Sequence, residues 1–121
     1  MDGMRLELFG NLGRDPESRY TPQGKMVTTV SVAVTMGYGD NKKTEWIKAT
    51  LWEKNAELFH KLTQKGTMVW LSGTPKVSTW NGKDDGEAKA QMEITVREFR
   101  ILKGFAKKEE AEEDEPEFMQ E

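Results

Sequence analysis

The segment Glu45–Trp52, EWIKATLW, constrains the fold more than any other stretch of the sequence. In a β-strand successive side chains point to opposite faces, so Ile47, Ala49 and Leu51 would share one apolar face. The opposite face would carry Trp46, Lys48, Thr50 and Trp52. Such a strand fits a sheet with one buried side, and its open side would hold the two largest apolar side chains.

Four further segments have the alternation and β-branched content of strands. They are Arg5–Leu12, Lys25–Met36, Thr67–Trp80 and Ala88–Leu102. A bulge or bend is predicted at Gly73 or Pro75. Asp15–Gly24 reads as a turn with two prolines and a glycine, and Asn81–Gly86 reads as a hairpin loop.

The apolar period changes after Trp52 and becomes helical. We predict a helix over Glu57–Gly66, with Asn55 as its N-cap and Gly66 at its end. Glu57 and Lys61, four residues apart, should form an ion pair. The apolar stripe of this helix consists of Ala56, Leu58, Phe59 and Leu62.

Three strands, a helix and two strands in this order predict an all-β fold with one short helix. The matching architecture is a five-stranded OB-fold barrel with its helix between strands 3 and 4. The face formed by strands 2 and 3 of such barrels binds oligonucleotides or oligosaccharides. We assign this domain to residues 1–104 and an acidic, disordered tail to residues 105–121.

The net charge of −3 conceals a division along the chain. Eight of the 21 acidic residues lie at or beyond Glu109, which leaves 13 acids against 18 Lys and Arg, a charge of +5, in residues 1–108. A basic body joined to an acidic tail suggests that the body contacts nucleic acid and that the tail screens it or recruits partners. The alternative is that the tail is only a solvated terminus.

The sequence gives no support for catalytic, cofactor or metal chemistry. The chain has no cysteine and a single histidine, His60, for which the sequence offers no catalytic partner. It has no Gly-rich phosphate loop, and Asp84 and Asp85 fit a solvated loop better than a metal site. We therefore expect no enzyme, cofactor or metal. No stretch reaches the length of a membrane span, so we expect a soluble, cytoplasmic protein.

The open side of EWIKATLW suits single-stranded nucleic acid. Bases stack on exposed aromatic rings, and cations bind the phosphates. Trp46 and Trp52 are six residues apart, roughly 20 Å along a strand, with Lys48 between them. Trp80, beside Lys76 and Ser78, and Tyr38, in a loop, could extend the surface. For Trp70, between Val69 and Leu71, a place in the core or a subunit interface is favoured.

Four segments together resemble a known family, the bacterial-type single-stranded DNA-binding proteins. They are GNLGRDPESRYTPQG (Gly10–Gly24), TEW (Thr44–Trp46), KGTMVWLSG (Lys65–Gly73) and STWNG (Ser78–Gly82). The resemblance covers residues 4–104 and implies an OB-fold subunit of a homotetramer that wraps single-stranded DNA. It further implies roles in DNA replication, recombination and repair.

The resemblance also assigns residues to roles. The stacking aromatics would be Tyr38, Trp46, Trp52 and Trp80, and the phosphate-binding bases Lys48, Lys54, Lys65 and Lys76. The partner-binding tail would be Asp114, Glu115, Pro116, Glu117 and Phe118. The chain departs from the family at Val77–Thr79, where basic residues are frequent, and at Ile47, where a histidine often joins subunit contacts. Phe118 is followed by three more residues, whereas family members usually end on Pro-Phe.

Two other function classes stay open. One is an OB-fold replication accessory protein of the primosome type, which mainly binds proteins and binds DNA weakly. The other is a nuclease-type OB-fold hydrolase, which would need clustered carboxylates and an arginine facing the groove.

Overall fold

The structure is a computed structural model that describes residues 3–104. Its strands are β1 (Leu6–Leu12), β2 (Glu17–Tyr20), β3 (Met26–Met36), β4 (Lys43–Trp52), β5 (Met68–Asn81) and β6 (Ala88–Lys103). The helix α1 spans Glu53–Leu62, and a single 3₁₀ turn, Gly39–Asn41, joins β3 to β4. The predicted tail, including Asp114–Phe118, lies outside the described residues.

Five of the strands close into a ring. The hydrogen-bonded order is β1, β5, β6, β4, β3, and β1 pairs again with β3 to complete the barrel. Every pair is antiparallel except β4 with β6. Because β2 lies outside the ring, α1 follows the third barrel strand and precedes the fourth. The predicted OB-fold barrel with one helix in this position is confirmed.

The core fills the barrel from all five strands and from α1. Its fully buried side chains include Leu12, Leu51, Phe59, Leu71 and Ile94. Phe59 of the helix meets Phe99 of β6 edge to face, with ring centroids 5.1 Å apart, so the helix caps one end of the barrel. The predicted bulge lies between Ser72 and Gly73, where the β5–β6 register shifts.

The short strand β2 occupies the segment that the sequence analysis assigned entirely to a turn, so that assignment was wrong for Glu17–Tyr20. These four residues pair with Met26–Thr29 in a hairpin. The turn itself is confined to Thr21–Lys25, where Gly24 has φ +85°. A four-residue strand flanked by prolines carries too little alternation to distinguish it from loop.

The helix begins and ends four residues earlier than predicted. Trp52, not Asn55, is the N-cap residue, and it makes no side-chain capping bond. Asn55 instead donates from Nδ2 to the Arg97 carbonyl at 3.1 Å, which ties α1 to β6. Gly66 lies in the following loop with φ +91°. The predicted ion pair between Glu57 and Lys61 is present at 3.5 Å, with both side chains exposed.

Only half of the predicted apolar stripe is buried. Ala56 and Phe59 are fully buried, whereas Leu58 and Leu62 are exposed. At 3.6 residues per turn, Leu58 lies roughly opposite Ala56 on the helix, and Leu62 lies about 120° from Ala56. The predicted stripe was too wide because it was defined by apolar character alone, and all four residues are apolar.

The β5–β6 hairpin extends beyond the barrel. β1 pairs with β5 only as far as Gly73, and β4 pairs with β6 only from Glu93 to Thr95. The distal pairs, Val77–Asn81 with Ala88–Met92, therefore form a two-stranded arm. Its predicted loop is confirmed, with Gly86 at φ +67° donating to the Gly82 carbonyl at 2.9 Å.

Candidate nucleic-acid interface

The two tryptophans of β4 lie on the solvent side of the barrel, as the alternation predicts. Trp46 is 36% exposed and Trp52 is 42% exposed, whereas Ala49 and Leu51 are fully buried. Lys48 lies between the tryptophans on the same side and is exposed. We call this solvent side of β3, β4 and β6, continued onto β5 beyond Gly73, the outer face.

Trp46 is held in place from two sides. Its indole lies over Gly13, because a Cβ built on Gly13 would stand only 2.5 Å from Trp46 Cζ3. The main chain of Trp46 is fixed by Gln91 of β6, whose Nε2 donates to the Trp46 carbonyl at 2.7 Å. This bond continues the β4–β6 contact beyond the parallel ladder, which begins at Lys48. The ring is thus oriented before any ligand arrives.

Trp52 lies at the other end of β4, directly before α1. Its partner in register is Val27 of β3, which is on the outer face yet only 1% exposed. Val27 is therefore covered, and it is flanked in register by Trp52 on one side and Arg19 on the other. Trp52 thus presents a partly open ring next to a buried apolar neighbour.

The other two predicted stacking residues lie outside the barrel strands of the outer face, one on an arm and one in a loop. Trp80 lies near the tip of the β5–β6 arm and is 49% exposed. Its register partner is Lys89, and because it alternates with Ser78 and Lys76 it faces the same side as the outer face. Tyr38 precedes the 3₁₀ turn between β3 and β4 and is 86% exposed.

The four predicted lysines are not gathered in one place. Lys48 and Lys76 are both on the outer face, where each is the register partner of Glu93. Lys54 is exposed on the first turn of α1, two residues after Trp52. Lys65 lies in the loop between α1 and β5, where its backbone N–H donates to Asp15 Oδ1 at 2.8 Å.

Trp70 is not a core residue. It is partly exposed on the outside of β5, opposite Phe9 of β1. Its Nε1 donates to Glu7 Oε1 at 3.3 Å, and the Arg100 guanidinium lies 6.0 Å from the ring centroid. The core alternative is thus wrong, and a subunit interface stays a prediction.

Sequence comparison decides the family of this barrel. A sequence model of the single-strand binding protein family matches residues 4–102, which include every strand but the last residue of β6. The chain belongs to the single-strand binding protein family.

Curated relatives agree with that assignment. A single-stranded DNA-binding protein of Neisseria meningitidis serogroup A is 36% identical over 105 residues, which cover 83% of this chain and 60% of the relative. A single-stranded DNA-binding protein 1 of Xylella fastidiosa is 32% identical over 104 residues, covering 81% and 76%. The Chlorobaculum tepidum protein of that name is 29% identical over 103 residues, covering 81% and 64%. The match thus spans about 60% of the Neisseria protein's length.

Two arginines on this family member's outer face were missed by the sequence analysis. Arg14 borders a depression of about 190 Å³ together with Lys48, Ser31 and Gln91. Arg97 follows the alternation of β6 onto the outer face, where its Nε donates to Thr74 Oγ1 at 3.3 Å. The signal for Arg97 was present, because placing Ile94 and Val96 inward puts Arg97 outward. For Arg14, which follows β1 in a loop, no periodicity could have found it.

The single histidine takes part in a chain of side-chain hydrogen bonds that the sequence did not predict. His60 Nδ1 lies 2.6 Å from Ser18 Oγ, which lies 2.7 Å from Thr28 Oγ1. Thr28 donates in turn to the Ala56 carbonyl at 3.2 Å. Because each hydroxyl has one proton, all three bonds form together when His60 Nδ1 donates to Ser18. The chain of bonds links β2 and β3 to α1.

Within residues 3–104 no group of three or more His, Cys, Asp or Glu is arranged to hold a metal ion. In the same range no helix is long and apolar enough to cross a membrane.

Proposed function

We propose that this chain binds single-stranded DNA with little dependence on sequence and protects it during replication, recombination and repair. The observation that carries the proposal is the presence of Trp46 and Trp52 on one open face of a closed barrel, with Lys48 between them. Every base has a ring face, and stacking contributes about 1–3 kcal/mol for each base. The matched relatives are named for the same ligand.

In this proposal the strand runs along β4 and out along the β5–β6 arm. Trp46, Trp52, Trp80 and Tyr38 stack bases, and Lys48, Lys54, Lys65 and Lys76 bind phosphates. Arg14 and Arg97 add cations beside the tryptophans. The orientation of Trp46 by Gly13 and Gln91 lowers the cost of ordering the ring when DNA binds.

The protein is further proposed to act as a homotetramer. Support comes from an apolar hollow of about 520 Å³ that is bordered by residues of β1, β3, β4 and β6. Its apolar lining residues are Leu6, Leu8, Phe9, Val34, Met36, Ile47 and Met92. Phe9 is 59% exposed and Met36 is 54% exposed, which is unusual for a surface that stays in water.

Partner recruitment is proposed for the acidic tail, through Asp114, Glu115, Pro116, Glu117 and Phe118. The support is the concentration of acids there, eight from Glu109 onward, next to an aromatic residue. Capture of replication and repair proteins from a bacterial extract by the full chain, and its loss with Phe118→Ala, tests this role.

The test of DNA binding is a titration of intrinsic fluorescence with oligo(dT) and with duplex of equal length. Strong quenching by oligo(dT) and weak binding of duplex are expected, since duplex bases already stack on each other. Trp52→Ala should lower affinity by about 1–3 kcal/mol. Tyr20→Ala is the matched control, because Tyr20 is 70% exposed on β2 but alternates onto the side away from the outer face.

The same titration separates the other classes. Repeated with magnesium and analysed on a denaturing gel, it should leave oligo(dT) intact. Shortened DNA would indicate a hydrolase, and weak binding by the unaltered chain would indicate an accessory protein that mainly binds proteins.

The assembly is tested by light scattering with and without oligo(dT). The molar mass of four subunits is expected for the unaltered chain, and a smaller mass for Met36→Glu. Tyr20→Glu, which places the same charge at an exposed position outside the hollow, should leave the mass unchanged.

A further inference from the structure

The centre of the outer face holds a carboxylate. Glu93 of β6 is the register partner of Lys48 on one side and of Lys76 on the other. Register partners point to the same side of a sheet, so the carboxylate lies between the two lysines proposed to bind phosphate. A phosphate-binding surface alone does not explain an anion at this place.

The carboxylate is held by a hydroxyl rather than by the lysines. Ser78 Oγ donates to Glu93 Oε2 at 2.6 Å. Across residues 3–104, neither Lys48 nor Lys76 forms an ion pair with Glu93, and its second oxygen has no hydrogen-bond partner. Glu93 therefore presents one fixed, negatively charged acceptor that the protein leaves unused.

An ionised carboxylate accepts hydrogen bonds and cannot donate them. It repels phosphate, so the DNA segment that crosses Glu93 turns bases, not backbone, toward it. Cytosine and adenine present an exocyclic amino group that donates to such an acceptor. Thymine carries the O4 carbonyl where cytosine carries its amino group, and the lone pairs of that oxygen oppose a carboxylate. Hydrogen bonds to an ionised acceptor are about twice as strong as neutral ones.

We propose that Glu93 is a specificity-determining residue, whose free carboxylate oxygen favours a base with an exocyclic amino group over thymine at the centre of the outer face. Ser78 is the positioning residue that aims it. The inference rests on the proposed single-stranded DNA binding and adds to it a base preference at one position of an otherwise sequence-tolerant surface.

The measured quantity is the ratio of affinities for oligo(dC) and oligo(dT) of the same short length, at fixed salt and pH 7.5. Glu93→Gln removes a negative charge and raises affinity for any strand, and the ratio cancels that uniform effect. The glutamine amide can also donate to a thymine carbonyl. The ratio should therefore fall by about five- to tenfold, because the amide oxygen can still accept and only the contribution of the charge to the hydrogen bond is lost.

A matched control removes the same charge elsewhere. The control is Glu57→Gln, because Glu57 is exposed on α1 and glutamine is as good a helix former as glutamate. It should leave the ratio unchanged. Ser78→Ala keeps the carboxylate but frees it, and should lower the ratio in the same direction by about two- to threefold. This second variant tests the inference even if Glu93→Gln fails to fold.

The outcomes are distinct. A reduced ratio in Glu93→Gln and Ser78→Ala, with Glu57→Gln unchanged, supports the inference. If Glu93→Gln strengthens binding of both strands equally, Glu93 only repels DNA uniformly and the inference is overturned. The proposed binding of single-stranded DNA would be unaffected by that result. If the unaltered chain binds neither strand, the proposed function itself fails and the inference falls with it.

Discussion

Trp46 packs its indole over Gly13, at a distance that leaves no room for a side chain. A Cβ on Gly13 would stand 2.5 Å from Cζ3 and 2.9 Å from Cη2 of the ring. Heavy atoms in van der Waals contact are about 3.5–4.0 Å apart, so the ring would have to move. The glycine of the β1–β2 loop thus sets the orientation of a tryptophan on β4.

Gly13→Ala should therefore weaken binding of single-stranded DNA. The indole would swing away from its present plane, and we expect a loss of about 1–2 kcal/mol, part of the value of one stacked base. The free energy of unfolding should change less, because the displaced ring is already partly exposed. Fluorescence titration with oligo(dT) and urea denaturation measure the two quantities.

A double-mutant cycle separates this route from a general disturbance of the loop. In a Trp46→Ala background the Gly13→Ala change should cost no further affinity, because the ring that it displaces is gone. An additive loss in the double variant would show that Gly13 acts through something other than Trp46.

Lys48 provides a test of phosphate contact. Lys48→Ala should reduce the slope of log affinity against log salt by about 0.7, the value for one phosphate contact with a single strand. Lys61→Ala is the control, because Lys61 is paired with Glu57 on α1, away from the outer face. Equal slopes for Lys48→Ala and the unaltered chain would remove Lys48 from the phosphate-binding set.

The tail gives a prediction from charge alone. Eight acids attached to a body of charge +5 should compete with DNA phosphates for the same cations. Deleting residues 109–121 should then tighten binding of short oligonucleotides at 0.05 M salt. The gain should fade toward 1 M salt, where the Debye length is about 3 Å. Unchanged affinity at low salt would contradict competition and leave a solvated end as the explanation.

The sequence predicted the barrel well wherever one face of a strand is fully buried. The alternation in EWIKATLW placed Trp46 and Trp52 outward because Ala49 and Leu51 had to be inward. Closure of the ring followed from strand order and the position of the helix. The short strand β2 was missed because its pairing with β3 depends on a neighbour, not on its own pattern.

Side-chain partners were harder to predict than faces. Asn55 has the chemistry of an N-cap, yet its amide bonds to the Arg97 carbonyl on another strand. His60 meets Ser18, which is 42 residues away along the chain. The alternation of β6 is enough to place Glu93 on a face of the sheet, but its position between two lysines depends on which strands are neighbours. Such contacts depend on which strands and helices are neighbours in the fold. The local periodicity of the sequence contains no information about those neighbours.

The junction between β4 and α1 contains a backbone feature that can be tested through stability. Glu53, the first residue of α1, has φ +53°, in the left-handed region, directly after Trp52. This region costs a residue with a Cβ about 1–2 kcal/mol, and glycine avoids that cost.

Glu53→Gly should therefore raise the free energy of unfolding by about 0.5–1 kcal/mol, since the greater freedom of glycine in the unfolded chain offsets part of the relief. Glu57→Gly, four residues further along the same helix, should have the opposite effect. It places glycine in the helix interior and removes the Glu57–Lys61 ion pair, so we expect a loss of about 1 kcal/mol. Urea denaturation followed by circular dichroism measures both, and equal m-values for the two variants make the comparison valid. If Glu53→Gly destabilises the protein as much as Glu57→Gly does, Glu53 has an ordinary helical backbone and Trp52 is not followed by a left-handed residue.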